Sequence, residues 1–306
     1  MVHSDAAEEA SVRLARYLFG WWDRNTEFGD ELFEIRPVQR FTQAVDEVRR
    51  AGSLGPEWFH PPVEHSSTEG VDLPCERFAL PVTHCLTVTG HAYDADQGDF
   101  LVLVLGFCLG LKLTPQGTGH LMATPWKERT LSPFYADKRD ILVVLRHALN
   151  FWLSQPPEVR SLAFSAIHWH LTAHSYRQQH DRFAWQYTVM DNIYRLACLT
   201  DPAFGSLNNR NPHGRRPGVL GQKYGSPMPT AFGAGDATVL SGLRNELIHE
   251  ARWCGGPIGY SVSTTGHDLV HALQYYNAQL ILGFLDVRCR FRQMSDPMQL
   301  QALDIY

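Results

Sequence analysis

One stretch in the C-terminal third of the sequence decides how the rest is interpreted: Asp236-Ala-Thr-Val-Leu-Ser-Gly-Leu-Arg244-Asn245-Glu-Leu-Ile-His249-Glu-Ala-Arg-Trp-Cys-Gly-Gly256. Its apolar residues recur at helical spacing, which predicts an amphipathic helix. Asp236 is a suitable N-cap, and Gly255 and Gly256 are residues of the type at which helices end. This predicted helix carries Arg244, Asn245 and His249, so a cation, an amide and a titratable imidazole lie close together in one ordered element.

Helical patterns on both sides of this stretch predict an all-α bundle over residues 136–306. Apolar residues three and four apart predict helices over 138–154, 158–178, 181–200 and 266–293. The segment 201–235 is rich in Gly, Pro and Asn, and it is therefore expected to be irregular.

The first 135 residues show a different pattern, which predicts a separate domain containing both helices and strands. Helices are expected over 5–23 and 41–51, and a long loop over 52–72. Alternating or continuous apolar runs predict strands over 31–37, 78–81, 84–91, 100–113 and 120–123. The predicted fold class is therefore α+β, with a mixed domain over 1–135 followed by the helical bundle.

Composition excludes several classes of protein. A formal net charge of −5 gives no general attraction for nucleic acid, so any such site must be local. The six cysteines are scattered without a Cys-x-x-Cys pair, which argues against a zinc ribbon or a disulfide framework and fits a reducing compartment. The start of the chain is acidic, and its longest apolar run is too short to span a bilayer. We expect a soluble, cytoplasmic protein, without a membrane segment and without a cofactor motif.

The spacing of the three polar residues sets limits on what they can do. Asn245 and His249 lie four residues apart, on one helix face, so the amide can orient the imidazole. Arg244 lies about 140° from His249 around the helix and must reach around to meet the same ligand. Phosphodiester cleavage needs two proton-transfer groups and a cation on the phosphorane oxygens. One helix supplies a single imidazole, whereas a twofold dimer would supply two.

The motif Arg244-Asn245-x-x-x-His249, late in a helical bundle and followed by one long helix, resembles that of the HEPN superfamily of ribonucleases. The resemblance covers roughly residues 138–294. It implies a metal-independent endoribonuclease that uses the RNA 2′-hydroxyl as nucleophile, at a site composed from both subunits of a homodimer. Arg244 and His249 would be catalytic, and Asn245 supportive.

The wider family context adds a role and an alternative. A β-containing domain ahead of the bundle is similar to that of larger prokaryotic members involved in phage defence and abortive infection. Residues 1–135 would then bind an unknown trigger or regulator. Glu250-Ala251 follows His249, so the His-x-Tyr form of toxin–antitoxin members is absent. Some members lack catalysis, and a silent module that binds nucleic acid or a protein partner is the alternative.

A basic segment directly precedes the motif helix. Between Asp201 and Asp236 there is no Asp or Glu, and the segment carries Arg210, His213, Arg215, Arg216 and Lys223. The four Arg and Lys residues are predicted to bind RNA phosphates. The competing interpretation is a surface loop whose charges only keep it solvated.

Histidine pairs suggest a third interpretation, a metal-dependent hydrolase. His170 and His174 are four residues apart within a denser group that includes His168 and His180. No carboxylate or cysteine stands at ligand spacing beside them, so no metal site is predicted. His267 and His271 form a similar pair. Asp191 and Asn192 are candidates for lining the cleft of the bundle, or for simple exposure to solvent.

Overall fold

The structure is a computed structural model that describes residues 13–51, 53–54, 58–60, 81–115, 124–125, 127–176, 178–208, 210–233, 239–259, 265–295 and 301–306. Its strands are β1 (Leu14–Gly20), β2 (Phe28–Gly29), β3 (Phe33–Pro37), β4 (Ser53–Leu54), β5 (Trp58–His60), β6 (His84–Thr89), β7 (Thr114–Pro115), β8 (Thr124–Pro125), β9 (Phe134–Tyr135), β10 (Arg252–Trp253), β11 (Gly256–Pro257) and β12 (Gln301–Ala302). Its α-helices are α1 (Phe41–Ala51), α2 (Ala95–Leu109), α3 (Lys138–Ser154), α4 (Pro157–Thr172), α5 (Gln179–Thr200), α6 (Pro202–Asn208), α7 (Arg216–Tyr224), α8 (Val239–Glu250) and α9 (His267–Phe284).

An antiparallel sheet and a helical C-terminal region confirm the α+β fold. The five-stranded sheet has the order β2-β3-β6-β1-β7. The helix predicted over 5–23 is wrong where the structure describes it, because residues 14–20 form β1. Ala15, Tyr17 and Phe19 are buried while the residues between them are exposed, which is the period of a strand. Residues 5–12 lie outside the described residues.

The prediction of strands over 100–113 is wrong for most of this range, because residues 100–109 belong to the buried helix α2. Every residue from Phe100 to Leu109 is buried, so the helix is apolar on all sides and shows no amphipathic period. The carboxylate of Asp94 accepts hydrogen bonds from the first-turn amides of Asp96 and Gln97. Gly98 lets the helix lie directly on the sheet, since a Cβ there would overlap the ring of Tyr17.

Two strands and one helix predicted for the first half of the chain are confirmed. The predicted strands over 31–37 and 84–91 correspond to β3 and β6, and the helix over 41–51 is α1. The loop predicted over 52–72 is wrong where it is described, because residues 53–54 and 58–60 form β4 and β5, which pair with each other. The rest of that loop lies outside the described residues, as do the strand predicted over 120–123 and all of the strand predicted over 78–81 except Pro81, which is not in a strand.

The bundle helices α3, α4, α5 and α9 correspond to the predicted segments, although α4 ends at Thr172 instead of 178 and α9 at Phe284 instead of 293. The irregular structure predicted over 201–235 is wrong, because the segment contains α6, α7 and two short 3-10 helices. Asp201 caps α6 by accepting from the amide of Phe204 at 3.0 Å. Gly225, at φ 64°, ends α7. Glycine and proline here mark helix ends, not a long loop.

A single large core runs through both predicted domains in the described part of the chain. It includes side chains of the sheet, of α2 and of the bundle, and α2 packs against both α3 and α4. Strand β12, near the end of the chain, pairs with β9 in front of α3. Separate cores therefore do not mark the boundary at 135/136, which stays a prediction. Among the described helices, none is long and apolar enough to cross a membrane.

Candidate functional site

The motif helix α8 lies at the surface of the bundle and is anchored by two leucines. Leu240 and Leu243 are buried against the core. On the other side, Asn245 and His249 are exposed, and Ile248 retains 59% of its accessible surface. The predicted N-cap, Asp236, lies outside the described residues. The motif residues are thus held by a packed helix and remain accessible to a large ligand.

Arg244 connects the three motif residues. Its Nη1 donates to Oδ1 of Asn245 at 3.1 Å and lies 3.1 Å from Nε2 of His249. A guanidinium group can only donate, so this contact requires a neutral imidazole with its proton on Nδ1. The predicted reach of the arginine around the helix is therefore observed. The amide, which was expected to orient His249, accepts from Arg244 instead.

A hairpin fixes the C-terminal end of α8. The helix ends at Glu250, before Ala251 at φ 50°, so the predicted stop at Gly255 and Gly256 is wrong. These glycines belong to the β10–β11 hairpin, where the Glu246 carboxylate accepts from the Gly255 amide at 2.9 Å. The hairpin is tied to the bundle by the buried Trp253.

A second imidazole lies beside α8. His213 begins a 3-10 helix that packs against α8. Its Nδ1 lies 3.2 Å from the hydroxyl of Tyr187 and 3.6 Å from Oδ2 of Asp191. A carboxylate at Nδ1 favours the tautomer whose Nε2 accepts a proton, and it stabilises the imidazolium form. Of the two cleft candidates, Asp191 joins this cluster, whereas Asn192 donates to Ser165.

The charge of Arg244 acts on this second cluster. Burial lowers the pKa of His213, Asp191 opposes that change, and the charges of Arg216 and Arg244 add to it. Burial also raises the pKa of Tyr187, and the charges of Arg216 and Arg244 act in the opposite direction. His213 and Tyr187 are therefore neighbours of the motif arginine. In the sequence, His213 is recognisable only as part of the basic segment. Its contact with Asp191 joins elements that are distant in the chain, so no local pattern indicates it.

The four predicted RNA-binding residues differ in their surroundings. Arg216 donates to Oδ1 of Asp191 at 2.7 Å, and Lys223 donates to Oδ2 of Asp201 at 2.8 Å. Their side chains are only 20% and 16% exposed. Arg210 and Arg215 are exposed. Arg216 and Lys223 thus form ion pairs within the fold, and their partners, Asp191 and Asp201, precede the acid-free segment.

The histidines of the alternative metal site point to different environments. His170 is fully buried, and its Nδ1 lies 3.2 Å from Oε1 of Gln186. Burial lowers its pKa to about 4. His168 stacks on Phe164 instead. Across the described ranges, no group of three or more His, Cys, Asp or Glu side chains is arranged to hold a metal ion.

Comparison with known proteins adds no relative to this geometry. No protein family, no curated protein and no solved structure matches the chain. The functional interpretation therefore rests on the residues of the motif helix and their neighbours.

Proposed function

We propose that the protein is a metal-independent endoribonuclease of the HEPN type, with Arg244 and His249 as catalytic residues and Asn245 in support. The observation that carries the proposal is the contact of Arg244 Nη1 with His249 Nε2 on an exposed helix face. It places a phosphate-binding cation directly beside a neutral imidazole, which is the form that accepts a proton.

The neighbouring groups support a complete proton-transfer scheme. A phosphate bound to Arg244 would replace its contact with His249, which frees Nε2 to take the proton of the RNA 2′-hydroxyl. The 2′-oxygen then attacks phosphorus, and the bond to the 5′-oxygen breaks. His213 in its imidazolium form, which Asp191 stabilises, would donate the Nε2 proton to that leaving oxygen, while Arg244 stabilises the phosphorane. The products are a 2′,3′-cyclic phosphate and a 5′-hydroxyl.

We also propose that two chains pair through the outer face of α8 and place two motif helices around the RNA. The open side of that helix, with Ile248 largely exposed between Asn245 and His249, supports this assembly. Sedimentation of the wild type should show a dimer that Ile248→Asp weakens. Leu207→Asp is the control, because Leu207 is 82% exposed on α6. A wild type that stays monomeric would contradict the proposed assembly.

From the resemblance, we further propose a role in phage defence, in which residues 1–135 bind an unknown trigger. The groove on the outer face of the sheet, lined by Arg16, Arg36 and Thr87 among others, is compatible with ligand binding by this part. Plating efficiency of phages on cells that express wild type or His249→Ala would test this role. If wild type and His249→Ala protect the cells equally, the motif is not needed for defence.

Analysis of the reaction products tests the proposed activity. Purified protein is incubated with end-labelled RNA in excess EDTA, and the new ends are identified. We expect cleavage with 2′,3′-cyclic phosphate ends, since no step requires a metal ion. Activity that disappears in EDTA and returns with zinc would contradict the mechanism. RNA binding without cleavage would favour the silent binding module.

A further inference from the structure

A small polar cavity lies where the ends of three bundle helices meet, away from the motif helix. Its volume is about 40 Å³, enough for roughly three water molecules or one small ion. Side chains from the 3-10 helix that follows α4 and from the first half of α5 and of α9 line it, and the polar ones include His174, Gln179, Arg182, His267, His271 and Gln274. We call it the histidine–arginine cavity.

The charges around the cavity favour an anion. Arg182 is held in place by donating from Nε to the carbonyl oxygen of Tyr176 at 2.6 Å. The imidazoles of His174, His267 and His271 surround the same space. In the described part of the chain, no Asp or Glu side chain lines it. Two acidic residues are adjacent in sequence to lining residues, in the first turns of α5 and α9: Asp181, which contacts His180 at 3.7 Å, and Asp268, which follows His267.

Two helices begin at the cavity. Gln179 is the first residue of α5, and His267 is the first residue of α9. The residues at their N-cap positions, Gln178 and Gly266, give no side-chain hydrogen bond to either helix within the described structure. Helix N-termini carry partial positive charge and amides without intrahelical partners, so both ends favour an anion at this place.

Two polar atoms at the cavity have no hydrogen-bond partner among the described residues. Gln179 is only 7% exposed, yet its Oε1 has no hydrogen-bond partner among the described residues, and neither has Nε2 of His174. The Nε2 of Gln179 lies 3.4 Å from Nδ1 of His267. Turning the carboxamide by 180° would let His267 donate to the amide oxygen and direct the amide NH₂ group into the cavity. Buried polar groups of this kind are normally satisfied.

We infer that the histidine–arginine cavity binds a small oxyanion of the phosphate or sulfate class, held by Arg182, protonated histidines and the N-termini of α5 and α9. A metal ion fits less well, because Arg182 repels it and the described histidines do not form a group that could hold one. The inference does not depend on the proposed nuclease activity.

Binding should be coupled to proton uptake. Burial lowers the pKa of His174 well below its ordinary value, and the charges of His170, Arg182 and His271 act in the same direction. Burial and His267 lower the pKa of His271, and Asp268 opposes them. A bound anion would oppose these shifts, so each proton taken up makes binding about tenfold tighter per unit fall in pH.

Calorimetric titration of the full chain with sodium sulfate tests the inference. Sulfate keeps its charge between pH 6 and pH 8, so a change in affinity reports protonation of the protein. We expect one sulfate per chain, bound more tightly at pH 6, and at least about tenfold weaker binding by Arg182→Gln. Arg195→Gln is the matched control, because Arg195 is on the same helix and 65% exposed. Wild-type affinity in Arg182→Gln would overturn the inference.

An NMR titration of the wild type covers the case in which Arg182→Gln fails to fold. Sulfate should shift the imidazole signals of His174 and His271 but leave those of His147 unchanged. No saturable heat and no shift of these signals would overturn the inference, as would zinc binding to the three histidines in place of sulfate.

Discussion

The two most deeply buried histidines outside the cavity predict that the fold is acid-sensitive. His84, in the sheet, and His170, in α4, have no accessible surface. Burial lowers the pKa of each to about 4. His84 contacts the Thr83 hydroxyl through Nδ1 at 3.0 Å and the Arg24 carbonyl through Nε2 at 3.1 Å. In the neutral ring, Nε2 donates to the Arg24 carbonyl and Nδ1 accepts from the Thr83 hydroxyl. A second proton on the ring would remove the acceptor at Nδ1.

The magnitude follows from the difference between folded and unfolded pKa values. Because the folded pKa lies below the ordinary 6.5, the stabilisation is complete above pH 6.5 and is lost as the pH falls toward 4. At pH 5 the unfolded chain is protonated and the folded one is not, which costs roughly 2 kcal/mol per histidine. Together they should lower the free energy of unfolding by roughly 4 kcal/mol between pH 7 and pH 5.

Urea unfolding followed by tryptophan fluorescence at a series of pH values measures this loss. His84→Gln and His170→Gln keep polar groups at both sites but do not titrate, so each should remove roughly 2 kcal/mol of the loss between pH 7 and pH 5. His91→Gln, at a half-buried position after β6, is the control. A wild type whose stability is the same at pH 5 and pH 7, or variants with an unchanged slope, would refute the reasoning.

Two further predictions concern the site. Asp191→Asn weakens the ion pair with Arg216 and should lower the free energy of unfolding by roughly 1–2 kcal/mol in urea titrations, since both partners are partly exposed. It also lowers the pKa of His213 and should move the alkaline limb of the cleavage profile to lower pH; an unmoved limb would exclude His213 as the proton donor. Arg210→Ala should reduce the salt slope of RNA binding by about 0.7 for one phosphate contact. Lys223→Ala, already paired with Asp201, should change that slope less; the opposite order would assign RNA entry elsewhere.

Amphipathic helices were predictable from sequence, and two buried elements were not. Segments such as α3 and α5 have a polar side, so their period is visible in the order of residues. Helix α2 is buried on all sides and its apolar run matches a buried strand equally well. In β1, Ala15, Leu18 and Phe19 also fit a helical stripe, and only pairing with β6 and β7 decides for a strand.

The candidate site was predictable only where it lies on one helix. Arg244, Asn245 and His249 are close in sequence, and their proximity in space follows from helical geometry. The contact of Asp191 with His213 depends on how α5 packs against the 3-10 helix after α6, which no local pattern encodes. For the same reason, the lack of acidic residues between Asp201 and Asp236 suggested unpaired cations, whereas Arg216 forms an ion pair with Asp191 of α5.

The central claim is that Arg244 and His249 cleave RNA, and single-turnover cleavage in EDTA tests it most directly. At saturating protein, His249→Ala and Arg244→Ala should each lower the rate constant by about 10²–10⁴-fold, because one removes a proton acceptor and the other the cation beside phosphorus. Arg252→Ala, on the hairpin after the helix, should cleave at the wild-type rate. Cleavage by His249→Ala at the wild-type rate would contradict the claim.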